Sequence, residues 1–421
     1  MPSLLHTMGD QQRIIIRNAS VLDASAGALV PDRTVVVEGA EIVDVDGPAT
    51  RAEGAREIDA GGRVLMPGLI DGHVHVLAYT ADLPGAAEQS PSYVAARAGA
   101  ILRGMLDRGF TTVRDAAGAD HGLARAVREG WFVGPRVLFG GKALSQTGGH
   151  GDIRGAGRDA IDHAYCTPNH CRIADGADEV RKAVRDEIRR GADHIKLMLS
   201  GGVASPTDRI DSLQYSVDEI RAAVEEAGAA NRYVLGHAYT AAAVNRGLAA
   251  GVRSIEHGNL IDESSVKLFT THDAFLVPTL ATYSALAEEG LAGGLPPVSH
   301  AKVFDVLDAG LHALELAHRG GVKLVYGTDL LGDMHYRQLT EFSLRAQVQP
   351  PADLIRSATT TAAELLQLPG RIGVIAPGAH ADLLVLDGDP LADISVLTRP
   401  DTSLRLIVHA GRVHKNTLDA R

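Results

Sequence analysis

The sequence predicts an α/β protein: a (β/α)8 TIM barrel with a small β-sandwich domain formed by the N- and C-terminal segments. Three observations carry this prediction. From about Leu69 onward, short apolar β-like runs alternate with helical patterns, and eight such runs fit before Tyr326. They span roughly 255 residues, close to the ~250 typical of an eightfold βα barrel. Both ends of the chain instead show strand-like runs separated by turns, with too few residues at either end to bury a core alone.

The N-terminal part of the sandwich is expected over residues 10–66. It contains RIIIRNASVLD at 13–23, TVVVEGAEIVDVD at 34–46 and a short run at 63–66 entering MPG. The barrel is expected over 67–370. Its strands are read at 69–70, 111–114, 136–139, 194–198, 233–236, 253–256, 274–278 and 323–326. Helical patterns lie between them at 92–108, 178–190, 216–230, 240–250 and 301–319. The C-terminal part, 371–421, returns to strands at 381–386 (ADLLVL) and 404–413 (LRLIVHAGRV). A doubly wound open sheet is the structural alternative. It usually has fewer strands and a glycine-rich phosphate loop after the first, and that loop is absent here.

Composition narrows the function. Apolar residues at 45% and charged residues at 22% exclude a disordered or fibrous chain. The 46 glycines exceed average usage of ~7% and suggest many tight βα junctions. A net charge of −11 without a long Lys/Arg run argues against a nucleic-acid or anionic-membrane partner. Two cysteines cannot make a disulfide framework. The start, MPSLLHTMGDQQR, lacks a basic segment followed by an apolar run, and no stretch approaches ~18 apolar residues. A soluble cytoplasmic protein is expected.

A βα barrel gathers its active site at the C-terminal ends of its strands. The first strand ends in DGHVH, where His73 and His75 share one side of an extended chain and can reach one metal. The fourth carries Lys196, the fifth ends at His237, the sixth at His257, and the eighth at Asp329 within GTD. Taken singly each has an ordinary structural use. A histidine can be a satisfied core residue, Lys196 can snorkel or pair, and Asp329 can cap the next helix. Six such residues at the ends of five strands make those uses a poor joint explanation. Asp71 reads either as an orienter of a ligand histidine or as a turn former.

PGLIDGHVH, the lysine-bearing fourth strand, the histidines of strands five and six, and GTD resemble the amidohydrolase superfamily of metal-dependent hydrolases. The tail RIGVIAPGAHADLLVLDGDP is similar to that family's C-terminal segment. The resemblance implies two divalent metal ions, usually zinc. His73, His75 and Asp329 would hold one and His237 and His257 the other, with Lys196 bridging as a CO2-derived carbamate. The loop containing TGGHG resembles that of Xaa-Pro dipeptidases and of carboxypeptidase-like or ochratoxin-type amidases. By position, His150 and Tyr239 would then contact the scissile carbonyl or the substrate.

Elementary chemistry agrees. An ammonium cannot ligate a cation, whereas a carbamate offers two anionic oxygens, and burial among Ile195, Leu197 and Met198 favours the nucleophilic amine. A metal-bridging water has its pKa lowered towards neutrality and supplies hydroxide, with Asp329 placed to take its proton. His150 and Tyr239 are both expected to hold the developing oxyanion, and Arg154 is a carboxylate binder in this reading. Ser200-Gly201-Gly202 permits close backbone approach. The insertion at 152–175 carries His163, Cys166, His170 and Cys171, whose spacing fits a lid loop with two thiols better than a structural metal site.

The function expected is therefore a binuclear hydrolase cleaving a peptide-like or N-acyl amino acid amide, with a small-molecule amide substrate and a homo-oligomeric assembly. Cyclic amide hydrolysis or deamination, as in imidazolonepropionase-like relatives, is the second reading. A non-catalytic scaffold on a hydrolase barrel is the third; loss of ligands would mark it, and none of the six is missing.

Overall fold

The computed structural model describes residues 13–46, 54–154, 169–205 and 208–418. The chain forms two compact units, one of residues 1–69, 107–111 and 351–421, the other of 70–106 and 112–350.

The first unit is built on one eight-stranded sheet drawn from both ends of the chain. Val64–Pro67 pairs parallel with Arg13–Asp23 and antiparallel with Leu383–Leu386, and this second pairing joins the two ends. Arg13–Asp23 pairs antiparallel with Ala28–Glu38 so that Ile14 meets Val37 and Ile16 meets Val35. Alternate residues of these strands, with Leu383, Val385, Leu406 and Val408, make a single apolar cluster. The expected sandwich thus takes the form of one continuous hydrogen-bonded sheet.

The second unit has a TIM-barrel-type α/β fold. Its strands in order are Leu69–Val74 and Phe110–Asp115, each from residue 70 or 112 onward, then Arg136–Phe139, Ile195–Met198, Val234–Thr240, Ser254–Leu260, Phe275–Val277 and Lys323–Leu324. The third strand is interrupted at residues 140–142 and resumes as Ala143–Ser145, which pairs with the fourth through Leu144 and Leu197. The break separates the hydrogen bonding into a three-stranded and a seven-stranded sheet. Asp193 N donates to Phe139 O at 2.8 Å across the first gap, and Gly72 N to Tyr326 O at 2.7 Å across the second.

Local sequence sets the βα junctions. Thr240 ends the fifth strand and caps Ala241–Ala249 through its own hydroxyl, so no loop intervenes. Ser216 and Glu219 form a reciprocal capping box on Val217–Ala229, while Asp262 caps Glu263–Thr271. Returning helices end at glycines such as Gly191 (φ +101°) and Gly251 (φ +97°), which take the left-handed turn back into a strand. Between strands and helices lies an apolar layer of Ile195, Leu197, Val234, Ile255 and Leu276 packed on Val184, Ile220, Val244, Leu248 and Leu314. Among the described residues no helix is long and apolar enough to cross a membrane.

Candidate active site

Strand alternation decides which side chains face the barrel interior. Ile195 and Leu197 join the outer apolar layer, so Lys196 and Met198 point the other way. Val234 and Ala238 likewise lie outside, which turns His237 and Tyr239 inward. His73, His75, Lys196, His237, His257 and Asp329, together with His150 and Tyr239, line one cavity. Three non-glycine residues are left-handed: His257 within the sixth strand at φ +74°, and Thr279 and Asp329 beyond the seventh and eighth at +49° and +53°. Such conformations are costly and, for a β-branched residue such as Thr279, exceptional.

Each imidazole is anchored through one nitrogen. His73 Nδ1 lies 2.7 Å from Glu256 Oε2, His75 Nδ1 2.9 Å from Ala117 O, and His237 Nε2 3.2 Å from Gly201 O. A carboxylate or carbonyl only accepts, so in the neutral ring the other nitrogen is unprotonated. Nδ1 of His257 lies 2.8 Å from Thr279 Oγ1. Burial, together with neighbouring cations and imidazoles, pushes both His237 and His257 well below the usual histidine range. His73 Nε2 is buried without a hydrogen-bond partner. Asp329 Oδ1 lies 3.4 Å from that nitrogen and 3.1 Å from His75 Nε2. Burial alone would raise Asp329, and the two histidines outweigh it, holding the carboxyl well below its ordinary value.

This donor set suits a divalent cation: nitrogen lone pairs and a carboxylate around a shared space, with one buried nitrogen otherwise unsatisfied. Among the described residues, His73, His257 and Asp329 form a triple whose candidate ligand atoms lie within 4.8 Å of one another. Lys196 lines the same space, and burial lowers its amine to about 8 against the opposing pull of Glu256 and Asp329.

Several supporting groups have no signature in the local sequence. Glu256 is fully buried and accepts from both Arg114 Nη2 (2.8 and 2.9 Å) and Ser254 Oγ (2.7 Å) as well as meeting His73. Arg114 Nε also donates to Gly72 O, so one guanidinium holds the carboxylate that orients His73 and the backbone beside it. Asp71 does not touch a ligand ring. It accepts from His73 N (3.0 Å), Thr328 Oγ1 (2.7 Å) and Gln338 Nε2 (2.9 Å), tying the ends of the first and eighth strands. Asp115, raised by burial to about 6, accepts from Val76 N and Ala119 N.

His150 lies flat on His237, ring centroids 4.3 Å apart at 14°. Its Nδ1 is 2.8 Å from Ser205 Oγ, whose proton goes to Asp208 Oδ1, so Ser205 accepts from His150. His150 is held neutral, burial and the Lys302 charge lowering it to about 4, and its Nε2 is therefore a lone pair. Lys302 Nζ clasps the loop beneath through the carbonyls of Gly202 and Ser205 (both 2.6 Å) and Asp208 (3.0 Å). A Cβ on Gly202 would stand 2.1 Å from His150 Cε1, which is why this stretch is glycine.

Arg154, expected to receive a substrate carboxylate, is forked onto Asp152 at 2.8 and 2.7 Å. His170 and Cys171 lie in the cavity wall, the thiol pushed by burial up to about 12. His163 and Cys166 lie outside the described residues.

A model of the amidohydrolase family matches residues 64–413. An ochratoxinase of Aspergillus niger is 35% identical over 358 residues, covering 80% of this chain and 73% of that protein. A crystal structure of a prolidase complexed with N-methylphosphonate-L-proline superposes with a TM-score of 0.93 at 49% identity, covering 96% of this chain and all of the other. A Xaa-Pro dipeptidase with methionine bound in its active site gives 0.87 at 28% identity, with 96% and 100% covered.

Proposed function

The chain belongs to the amidohydrolase family and is a hydrolase acting on carbon–nitrogen amide bonds, and from that premise we propose that it cleaves acyl–amino acid amides, Xaa-Pro dipeptides among them, with two divalent metal ions in the strand-end cavity. The observation that carries this reading is the group of four imidazoles, each anchored to a protein oxygen through one nitrogen, beside Asp329, Lys196 and Tyr239.

His73, His75 and Asp329 would hold one ion, His237 and His257 the other, and Lys196 would bridge them. The bridge forms when the neutral Lys196 amine attacks CO2, making an N–C bond and releasing one N–H proton to solvent. Burial lowers its pKa and so favours the neutral amine relative to an exposed lysine. Bound divalent ions would polarise the amide carbonyl and bring a coordinated water to neutral-pH reactivity. Asp329 would take the proton of the attacking water and return it to the departing nitrogen. Tyr239 donates to the carbonyl oxygen as negative charge grows there. His150 has the opposite sense from that expected for it. Its lone pair accepts from a donor on the substrate, such as an amide N–H or an ammonium.

The remaining wall favours apolar substituents. Leu83, Pro84, Val203, Leu286 and Leu331 line it. With Arg154 committed to Asp152, Lys196 is the only described lysine or arginine in the cavity wall, which argues against phosphoesters. Acyl–proline and acyl–phenylalanine amides, including aryl amides of the ochratoxin kind, fit such a wall. A hydrolysis screen of metal-replete protein against Xaa-amino acid dipeptides and N-acyl amino acids tests the proposal. Rapid phosphotriester or nucleobase turnover with no acyl–amino acid cleavage would overturn it.

A further inference from the structure

Around the loop after the fourth strand, donors converge on a carboxylate and carbonyls converge on an ammonium. The Asp208 side chain, almost wholly withdrawn from solvent, accepts from Gly202 N (3.2 Å), Ser205 Oγ and Gln214 Nε2 (2.8 Å). Lys302 Nζ donates to the carbonyls of Gly202, Ser205 and Asp208, which lie 94 to 100 positions earlier in the chain. Three acceptors take all three N–H bonds of an ammonium, whereas a neutral amine has two, so Lys302 is charged here. Ser299, on the same short helix Pro297–Val303, donates to Ala204 O at 3.4 Å.

His150 hangs on this assembly at two points. Its amide donates to Gln214 Oε1 at 2.9 Å, and its Nδ1 lies 2.8 Å from Ser205 Oγ. Gln214 and Ser205 both donate to Asp208, so the four residues close a ring. Gly202 lies against the imidazole with no room for a Cβ, and Val203, Ala204 and Ser205 line the cavity themselves. Without the ammonium, three carbonyl oxygens would face one another with nothing between them. They repel and lose their donors, so the backbone would turn them apart and carry the support of His150 with it.

We propose that Lys302 is a positioning residue for the hydrolysis: its ammonium fills a cage of three carbonyls and so fixes the loop that presents His150 and the wall at Val203 and Ala204 to the substrate. Backbone carbonyls around one point are also the chemistry that binds a bare monovalent cation in place of its water. The lysine is in effect a tethered occupant, and a free ammonium or potassium ion takes the cage once the side chain is cut back. This rests on the reading of His150 as a substrate contact, and it adds the residue that holds His150 in place from another part of the barrel.

The test uses Lys302→Met and Lys302→Ala in the full, metal-replete chain. Lys302→Met keeps the apolar stem and removes the donors, so kcat on the best substrate of the hydrolysis screen should fall about 10-fold with zinc content unchanged. In a His150→Ala background the same change should cost nothing further. Lys302→Ala opens the cage. Ammonium or potassium chloride should then raise its Tm and restore part of its kcat over one concentration range, whereas choline chloride at equal ionic strength, too large for the cage, should do neither. The wild type, whose cage is filled, should not distinguish these salts. The proposal is overturned if Lys302→Met keeps wild-type kcat, if its loss adds fully to that of His150→Ala, or if ammonium and potassium do no more for Lys302→Ala than for the wild type. The Tm measurements need no substrate, so a failed acyl–amino acid assignment is told apart from a failed cage. Should Lys302→Ala fold in none of these salts, the Lys302→Met cycle still decides the matter.

Discussion

Glu256 Oε2 stands 2.7 Å from Nδ1 of His73, and both side chains are almost wholly withdrawn from solvent. The carboxylate is ionised: burial opposes its charge, and Arg114 and His73 outweigh that, pulling it far below the ordinary range. It therefore selects the His73 tautomer that leaves Nε2 for a cation. Glu256→Gln should weaken metal binding by ~10- to 100-fold. It should also destabilise the fold by about 3–5 kcal/mol, because buried Arg114 loses its anion. Chelator competition and denaturant unfolding read the two effects separately, and an unchanged metal affinity would remove Glu256 from the site.

Lys196→Ala removes the proposed bridge. Activity and at least one metal equivalent should be lost, and acetate or propionate should restore part of the turnover by replacing the missing anion. With labelled CO2, a carbamate carbon resonance is expected in the wild type and not in the variant. Two bound metals and full activity in Lys196→Ala would defeat the bridge.

Asp329→Asn preserves shape but not basicity, so kcat should fall by ~10²-fold or more while KM changes far less. Steady-state kinetics on a metal-replete sample decide it. A change confined to KM would make Asp329 a binding group.

Ser205 and Asp208 set the proton on His150, so the three should fail together. His150→Ala, which removes the acceptor for the substrate's donor, is expected to slow acyl–amino acid hydrolysis ~10²-fold with the metals retained, as is Tyr239→Phe, which removes the donor to the carbonyl oxygen. Ser205→Ala should lower kcat about 10-fold alone and have no effect once His150 is alanine. Additive losses would mean that Ser205 acts elsewhere.

The legible part of this molecule was the part written in short-range pattern. Period-two runs alternating with helical stretches marked the strand positions within a few residues, and the ligand types stood at the strand ends. The break in the third strand has no signature of its own in the sequence, because Gly-Gly-Lys reads as the loop that follows a strand. Arg114 and Glu256 lie 142 positions apart and have meaning only through each other. Their signal was available as charge on inward positions of otherwise apolar strands. Arg154 reads as a substrate binder in the sequence because its partner, two residues away, is indistinguishable there from any exposed aspartate. The sense of the His150 hydrogen bond required a count of protons around Ser205, which only coordinates permit.

The left-handed backbone at Thr279 has a consequence for evolution under heat. A β-branched residue there raises the free energy of the fold by about 1–3 kcal/mol relative to one that accepts the conformation. Asparagine takes it readily. Selection for thermal endurance alone would therefore drift towards Thr279→Asn, yielding a hardier protein in which Nδ1 of His257 has lost its hydroxyl partner. Selection that includes turnover should keep the hydroxyl, so the residue found at this position in heat-adapted descendants would record which pressure they had met.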